Sequence, residues 1–392
     1  MKNSDFRNRT FVSMSYNEKD NPWTIDIRTG ILERLNKDKK SYIYTSFQCV
    51  SENTISDNFD VLENNKRLFF LPGKFKSRPA IISIDLQEMI KKETYLIDLP
   101  IRENLKDEIR FTGMITVGEY VYYIPFAYPA IIRVDTRNLS LTYIDKWKAE
   151  IDERIDSGSR FGYFIARQYV IKDEFLYVPF LAIAAVLKIN INTLDEKILY
   201  LDVESEGFSC ICEWNNCFLL SGTGHNKDRL YLWNEDSGKV DKEWKVQETS
   251  EDYPVIKMLV SEEGDVFVFP WENWGCYDVD IYKLNRKNLQ LKKMNLLPRY
   301  EDYRETKCLW GDEVINAHWI SKDTFLFVTG RDYKWHEYNV DTKEHLEYEV
   351  FLDETDENIE SRMKEYFRLM ADYRKPIHED EFGLKAFVNT VM

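Results

Sequence analysis

No stretch of the 392-residue sequence approaches the roughly 18 consecutive apolar residues that a membrane-spanning helix needs. Its opening, MKNSDFRNRTFVSMSY, lacks an apolar h-region, so no signal peptide is expected. Cysteine is sparse: Cys49, Cys210, Cys212, Cys217, Cys276 and Cys308 are scattered along the chain, as reduced thiols of a cytoplasmic protein would be. Histidine is sparser still, and His225, His318, His336, His345 and His378 show no ligand spacing. Cys210, Cys212 and Cys217 form a C-x-C-x4-C without a second cluster, and the first two fall on one face of a strand as small hydrophobes. No metal and no cofactor is therefore expected. Positive charge is in deficit: the net charge is −15, with acids and bases intermixed, a field that repels phosphate backbones and argues against nucleic acid as a partner. Nothing points to a membrane partner either.

Catalytic signatures are also missing. The glycines of SGTGHNK (residues 221–227) lie between two strands, whereas a phosphate cradle needs a helix N-terminus after them. No Ser-His-Asp constellation can be read from the order of residues.

Hydrophobic residues, by contrast, make up 44% of the chain and aromatics 15%, enough for a large core and too many for disorder. They are arranged in a repeat. Asp135 in IIRVDTRN has counterparts in Asp26 (WTIDIRTG), Asp85 (IISIDLQE), Asn190 (LKININTL), Asn234 (YLWNEDSG), Asn285 (YKLNRKNL) and Asn339 (HEYNVDTK). The separations are 59, 50, 55, 44, 51 and 54 residues. Each anchor is Asp or Asn, and three residues on stands Thr, Ser or Asn in every copy but the second, which has Glu88. Such a side chain accepts from backbone N–H groups two or three residues ahead and closes a tight turn. Before each anchor the apolar residues alternate with period 2, as in Ile132 and Val134, which places one face of a strand on a core.

A further apolar strand precedes this one in each copy and ends in proline at Pro72, Pro125, Pro179 and Pro270, as strand ends do. Residues 121–145, VYYIPFAYPAIIRVDTRNLSLTYID, thus read as strands B, C and D of a third unit. An A strand stands upstream of B in every copy except the first. At the far end FGLKAFVNTVM (residues 382–392) is an A-like strand with no B behind it. The expectation is an all-β, seven-bladed β-propeller of four-stranded blades, one domain over residues 1–392, in which a closing strand at about 382–391 completes the N-terminal blade. Tandem β-sandwiches would show the same alternation but leave the spacing and the orphan strand unexplained. The fifth copy, DRLYLWNEDSGKVDKEW, resembles the end of a WD40 repeat in Trp233 and its Ser-Gly turn; it lacks the Gly-His element, so the likeness is to propellers as a class.

In such a ring the B–C loops and D–A crossings share one face, the A–B and C–D turns the other. The B–C loops carry exposed-looking aromatics beside cations: Lys74, Arg78, Tyr128, His225, Trp271, Trp274, Arg331 and Trp335 are candidate ligand-binding residues. Arg110 and Arg160 directly precede A strands, at matched positions on the rim of the central channel, where they suit a carboxylate or phosphate, or else an ion pair with a neighbouring blade. His225, His318 and His378 lie on a B–C loop, an A strand and a D–A crossing, positions that converge on the axis. Apolar spacings of 4, 3, 4 and 3 from Ile359 to Tyr373 predict an amphipathic helix within a helical insertion at about 355–376. KWKAEIDERID, with Trp147, Ile151 and Ile155, is a weaker helix candidate. Two functions follow: a cytoplasmic binding module for a protein, peptide or glycan on the loop-rich face, or a propeller lyase or hydrolase acting on an anionic or carbohydrate-like molecule at the axis.

Overall fold

The computed structural model of the chain describes residues 11–15, 23–26, 32–35, 41–43, 60–71, 79–88, 90–106, 111–155, 162–164, 168–224, 229–246, 255–270, 280–297, 314–329 and 334–349. Among these, the strands form seven four-stranded antiparallel sheets, each a meander of consecutive strands. The first holds β1 (Phe11–Ser15), β2 (Trp23–Asp26), β3 (Leu32–Leu35) and β4 (Ser41–Ile43). The second holds β5 (Asp60–Asn64), β6 (Arg67–Leu71), β7 (Ala80–Asp85) and β8 (Lys91–Tyr95). The third holds β9 (Phe111–Val117), β10 (Tyr120–Pro125), β11 (Ile131–Asp135) and β12 (Leu141–Ile144). Helix α1 (Trp147–Arg154) follows, then β13 (Val170–Lys172), β14 (Phe175–Pro179), β15 (Ala185–Asn190) and β16 (Glu196–Tyr200) as the fourth sheet. The fifth comprises β17 (Phe208–Trp214), β18 (Cys217–Gly222), β19 (Arg229–Asn234) and β20 (Lys239–Lys245). The sixth comprises β21 (Val255–Val260), β22 (Val266–Pro270), β23 (Tyr282–Leu284) and β24 (Leu291–Lys293). The seventh comprises β25 (Val314–Trp319), β26 (Thr324–Thr329), β27 (Trp335–Asn339) and β28 (His345–Tyr348).

Strands B, C and D of the third repeat are β10, β11 and β12, in the register Tyr122↔Arg133 and Arg133↔Thr142. Pro125 and Pro179 end β10 and β14, where no further ladder donor is needed. The first sheet departs from expectation. Asp26 ends the second strand of its sheet, whereas Asp85 and Asp135 end the third. β1, which the spacing from the anchor places second in its sheet, therefore lies one place further in. It is the first strand of its own sheet, lies beside β5 and β25, and β4 supplies a fourth strand. The first sheet thus reaches four strands by itself; the closing strand expected at 382–391 and the helix expected at 355–376 lie outside the described residues.

The anchor turns follow their sequence. Oδ1 of Asp85 accepts from the N–H groups of Gln87 and Glu88 at 2.9 and 3.2 Å, and that of Asn190 from Asn192 and Thr193 at 2.9 Å each. Asn285 and Asn339 repeat the pair with Lys287 and Asn288, and with Asp341 and Thr342. The residue after the anchor donates its N–H to a carbonyl of the A–B turn, in Leu86→Lys66, Thr136→Glu119, Ile191→Glu174 and Val340→Asp323, at 2.7 to 3.0 Å. These bonds bring the C–D and A–B turns together on one face. Four residues past the anchor the backbone turns left-handed, at Leu139, Leu194, Gly238, Leu289 and Lys343, with φ of 62, 63, 68, 56 and 64°. The N–H of Leu139 returns to the carbonyl of Asp135 at 2.8 Å, as Leu194, Leu289 and Lys343 do to their own anchors. Leucine is a poor residue for that conformation. Its compensation is burial: Leu139 packs into the core between the second and third sheets, where it is 6% exposed.

Core lies between successive sheets, so strands bury both faces. In β10, Val121 and Tyr123 pack with Phe69 and Ile81 of the second sheet, while Tyr122 and Ile124 pack with Leu176, Val178 and Leu187 of the fourth. Cys210, Cys212 and Trp214 of β17 meet Met258, Val266 and Val268 of the sixth sheet. Phe267 and Phe269 face Phe325 and Phe327 of the seventh. Each such side chain contributes about 1.5–3 kcal/mol by leaving water. The A strands of neighbouring sheets lie side by side, as in β5 with β9, β13 with β17, β17 with β21, and β21 with β25. They form the inner edge of the assembly.

Candidate functional site

The B–C loops and D–A crossings of the third, fourth and fifth sheets are joined into one rim by backbone hydrogen bonds. Tyr163 N–H donates to the Phe126 carbonyl at 2.7 Å, and Leu181 N–H to that of Tyr163 at 2.9 Å. Phe208 N–H reaches the Phe180 carbonyl at 2.7 Å, and Thr223 N–H reaches that of Gly207 at 3.0 Å. The Thr223 hydroxyl adds a bond to the Leu181 carbonyl at 2.9 Å. Two glycines permit the approach. A Cβ on Gly162 would stand 2.5 Å from the Phe126 carbonyl oxygen, and one on Gly207 only 2.0 Å from that of Leu181.

Aromatic packing supports this rim from beneath. Helix α1 forms as its apolar spacing requires, with Trp147 and Ile151 buried. Trp147 meets Tyr163 edge-on at 4.9 Å between ring centroids and Phe164 at 5.2 Å; Phe164 stacks on Phe180 at 4.6 Å. Glu196 accepts the Trp147 N–H at 2.8 Å, and burial, partly offset by that bond, raises its carboxyl above the ordinary glutamate value. The Tyr163 hydroxyl donates to Asp152 at 2.8 Å, while the Arg102 guanidinium lies 4.9 Å from the Tyr163 ring centre. Exposed on the rim are Asp202, Glu204 and Glu206; Phe126, Ala182, Ile183 and Ala184 are half-buried. The surface on offer is thus a mixed apolar and acidic one, already ordered.

The inner edge carries a second group of side chains. Gln168, just before β13, pairs with the backbone of Met258 on β21: Nε2 donates to the carbonyl at 2.5 Å and Oε1 accepts the N–H at 2.6 Å. Lys257 stands next to Met258, and His318 lies on β25. Desolvation, reinforced by the Lys257 charge, holds the His318 imidazole well below its usual value, so it is neutral at pH 7. Burial pushes the Cys210 thiol up to about 12 and that of Cys212 well above its ordinary value. Thiols so placed are inert packing groups rather than nucleophiles.

Of the ten residues singled out as ligand-binding, two are described, and both are core. Tyr128 is 1% exposed, packs against Phe111 and donates its hydroxyl to the Ile97 carbonyl at 2.7 Å. Trp335 is 2% exposed and lies against Tyr348. Position in a B–C loop or at a strand start does not say whether a ring points inward, and these two fill the space between sheets. Lys74, Arg78, Arg110, Arg160, His225, Trp271, Trp274 and Arg331 lie outside the described residues. So does His378, while His318 is on the inner edge as its strand implied. Gly162, Gly207 and Gln168 were not legible as site residues: Gly207 stands directly before β17, but Gly162 lies eight residues before β13 begins at Val170, and Gln168 just before it. No helix among the described residues is long and apolar enough to cross a membrane.

No protein-family model matches the chain, and no curated protein does. Solved structures do. A virginiamycin B lyase from Staphylococcus aureus superposes with a TM-score of 0.56 at 12% identity, over 83% of this chain and 93% of that one. YCF48 from Cyanidioschyzon merolae gives 0.54 at 9% identity, over 82% and 93%. The β-propeller domain of Cps50 (Swd1) from Myceliophteria thermophila gives 0.52 at 11% identity, over 84% and 97%. At such identities the likeness is one of fold, and with the repeated four-stranded sheets it identifies the chain as a β-propeller repeat protein.

Proposed function

We propose that the chain is a cytoplasmic binding module, a seven-bladed propeller that engages a protein, peptide or glycan through its B–C/D–A face. The seven sheets are taken as the blades of one closed ring, a reading supported by β1 lying beside both β5 and β25. The observation that carries the functional reading is the hydrogen-bonded rim from Phe126 to Thr223. A surface ordered before binding does not lose loop entropy on association, which is what a docking platform requires. The loop cations and tryptophans named from the sequence, Lys74, Arg78, Arg110, Arg160, His225, Trp271, Trp274 and Arg331, belong to the same face in this reading.

The test is native affinity capture with the full chain as bait, in three forms. Wild type and Lys287→Glu, which alters an exposed C–D turn on the opposite face, should retain the same partner. Glu204→Lys/Glu206→Lys, which reverses two exposed rim charges, should lose it. Equal retention by the rim variant, or loss with Lys287→Glu alone, would contradict the reading.

A second reading, a lyase or hydrolase at the axis, is supported by the neutral His318 beside Lys257. It would use His318 as a proton acceptor and Lys257 as a site for substrate anion. Purified protein that turns over a substrate and loses activity in both His318→Gln and Lys257→Met would favour it.

A further inference from the structure

Outside the rim and the inner edge, one cluster joins residues that the linear spacing keeps apart. In the seventh sheet β27 pairs with β28 in the register His336↔Glu347 and Tyr338↔His345. The side-chain period of two puts His345 and Glu347 on one face of β28, and the pairing sets His336 directly across from Glu347 on that same face. His336 is fully buried, stacked on Phe327 at 4.6 Å with planes 10° apart. Its Nδ1 is 3.1 Å from Nε2 of His345 and 3.9 Å from Oε1 of Glu347, and the three donor atoms all lie within 4.8 Å of one another. Glu347 also holds the Lys334 ammonium at 3.1 Å.

We propose that His336 Nδ1, His345 Nε2 and Glu347 bind a divalent first-row transition cation of the zinc class, which ties β27 to β28 on the face turned to the sixth sheet. Metal–ligand bonds of about 2.0–2.1 Å in a tetrahedron place neighbouring ligand atoms roughly 3.3 Å apart, close to the 3.1 Å between the two imidazole nitrogens, with the Glu347 carboxylate within reach of a side-chain rotation. Two imidazoles and one carboxylate form a borderline donor set that suits zinc, cobalt or nickel and not magnesium or calcium, which take oxygen. A fixed buried imidazole beside two less buried ligands supplies the preorganisation. The fourth position would be taken by water. Without an ion, the two facing nitrogens meet only through one N–H, which fixes the tautomers of both rings; an ion satisfies both lone pairs at once.

The experiment uses the full chain, freed of metal with chelator and titrated with Co2+ and then Zn2+. Wild type should take up one equivalent of Co2+ with the intense visible bands of a four-coordinate ion, and Zn2+ should bleach them. It should also gain thermal stability with Zn2+. His345→Ala and Glu347→Gln stand on the outermost strand, where folding tolerates them. Each should weaken binding by more than the roughly 10–100-fold that outer-shell changes cost and abolish the thermal gain, with far-UV circular dichroism unchanged. Absence of a Co2+ spectrum in wild type would overturn the proposal, as would a spectrum and stoichiometry that survive in both variants.

Discussion

Gln168 holds the backbone of Met258 by both ends of its amide, Nε2 to the carbonyl at 2.5 Å and Oε1 to the N–H at 2.6 Å, across 90 residues of chain. Gln168 leads into the fourth sheet and Met258 belongs to the sixth, so the pair reaches past the fifth. An A strand has its ladder partner on one side only, and this side chain satisfies what the inner edge leaves open.

Gln168→Ala removes both bonds at a residue, Met258, that is 1% exposed. A buried donor and acceptor left without partners cost about 1–3 kcal/mol. Equilibrium unfolding should show a loss in that range, with Gln168→Glu also destabilised because a carboxylate cannot donate to the carbonyl.

Gly207→Ala should be severe for its type. Its Cβ would stand 2.0 Å from the Leu181 carbonyl oxygen, a backbone atom that cannot swing away. The expected loss is about 3 kcal/mol, the upper end of overpacking costs. Gly118 has open space around its Cβ position and φ of +55°, so Gly118→Asn should cost less than about 1 kcal/mol. Urea midpoints of the two variants decide this. Similar losses at both positions would show that the contact at Gly207 is not what matters.

Leu139 and Lys343 share a left-handed backbone, with φ of 62 and 64°, but the first is buried and the second exposed. Glycine relieves about 1–2 kcal/mol of strain at either position. At Leu139 it also empties a core site, a loss of about 2–5 kcal/mol. Leu139→Gly should therefore destabilise by at least about 1 kcal/mol more than Lys343→Gly, as compared by thermal unfolding.

His318 sets an acid sensitivity. Its folded pKa lies below the usual 6.5, so the unfolded chain binds the proton more readily and stability falls as pH drops through 6.5. Above that pH the group is neutral in both states and contributes nothing. Chemical denaturation at pH 7.5 and 5.5 should give a smaller difference in His318→Gln than in wild type. An unchanged difference would place the acid sensitivity elsewhere.

Local chemistry was readable in the sequence, and long-range chemistry was not. The anchor turns followed because Asp85, Asn190, Asn285 and Asn339 bond to N–H groups two and three residues away. The alternation of Val121 and Tyr123 against Tyr122 and Ile124 appears as two opposite cores, and the spacing of Trp147 and Ile151 as α1. Leu139, Leu194 and Leu289 carry no sign of their left-handed backbone, because packing against the cores, full for Leu139 and partial for the other two, rather than local preference keeps them there. The Gly207–Leu181 approach and the Gln168–Met258 bonds depend on how sheets sit beside one another, which no window of the sequence contains. Tyr128 and Trp335 show the same limit from the other side: aromatic residues in loop positions, buried by their neighbours. The histidine pair needed the register of β27 on β28, which the hairpin sets and the nine-residue spacing conceals.

Hydrogen–deuterium exchange of the full chain, free and in complex with its captured partner, shows which face of the propeller the partner covers. A partner docked on the rim should add protection at residues 126–130, 162–164, 180–184, 201–208 and 223–224, with the A–B and C–D turns of the opposite face unchanged. Protection confined to those turns, around Asp85, Asp135, Asn190 and Asn339, with the rim unaltered, would contradict docking on the rim.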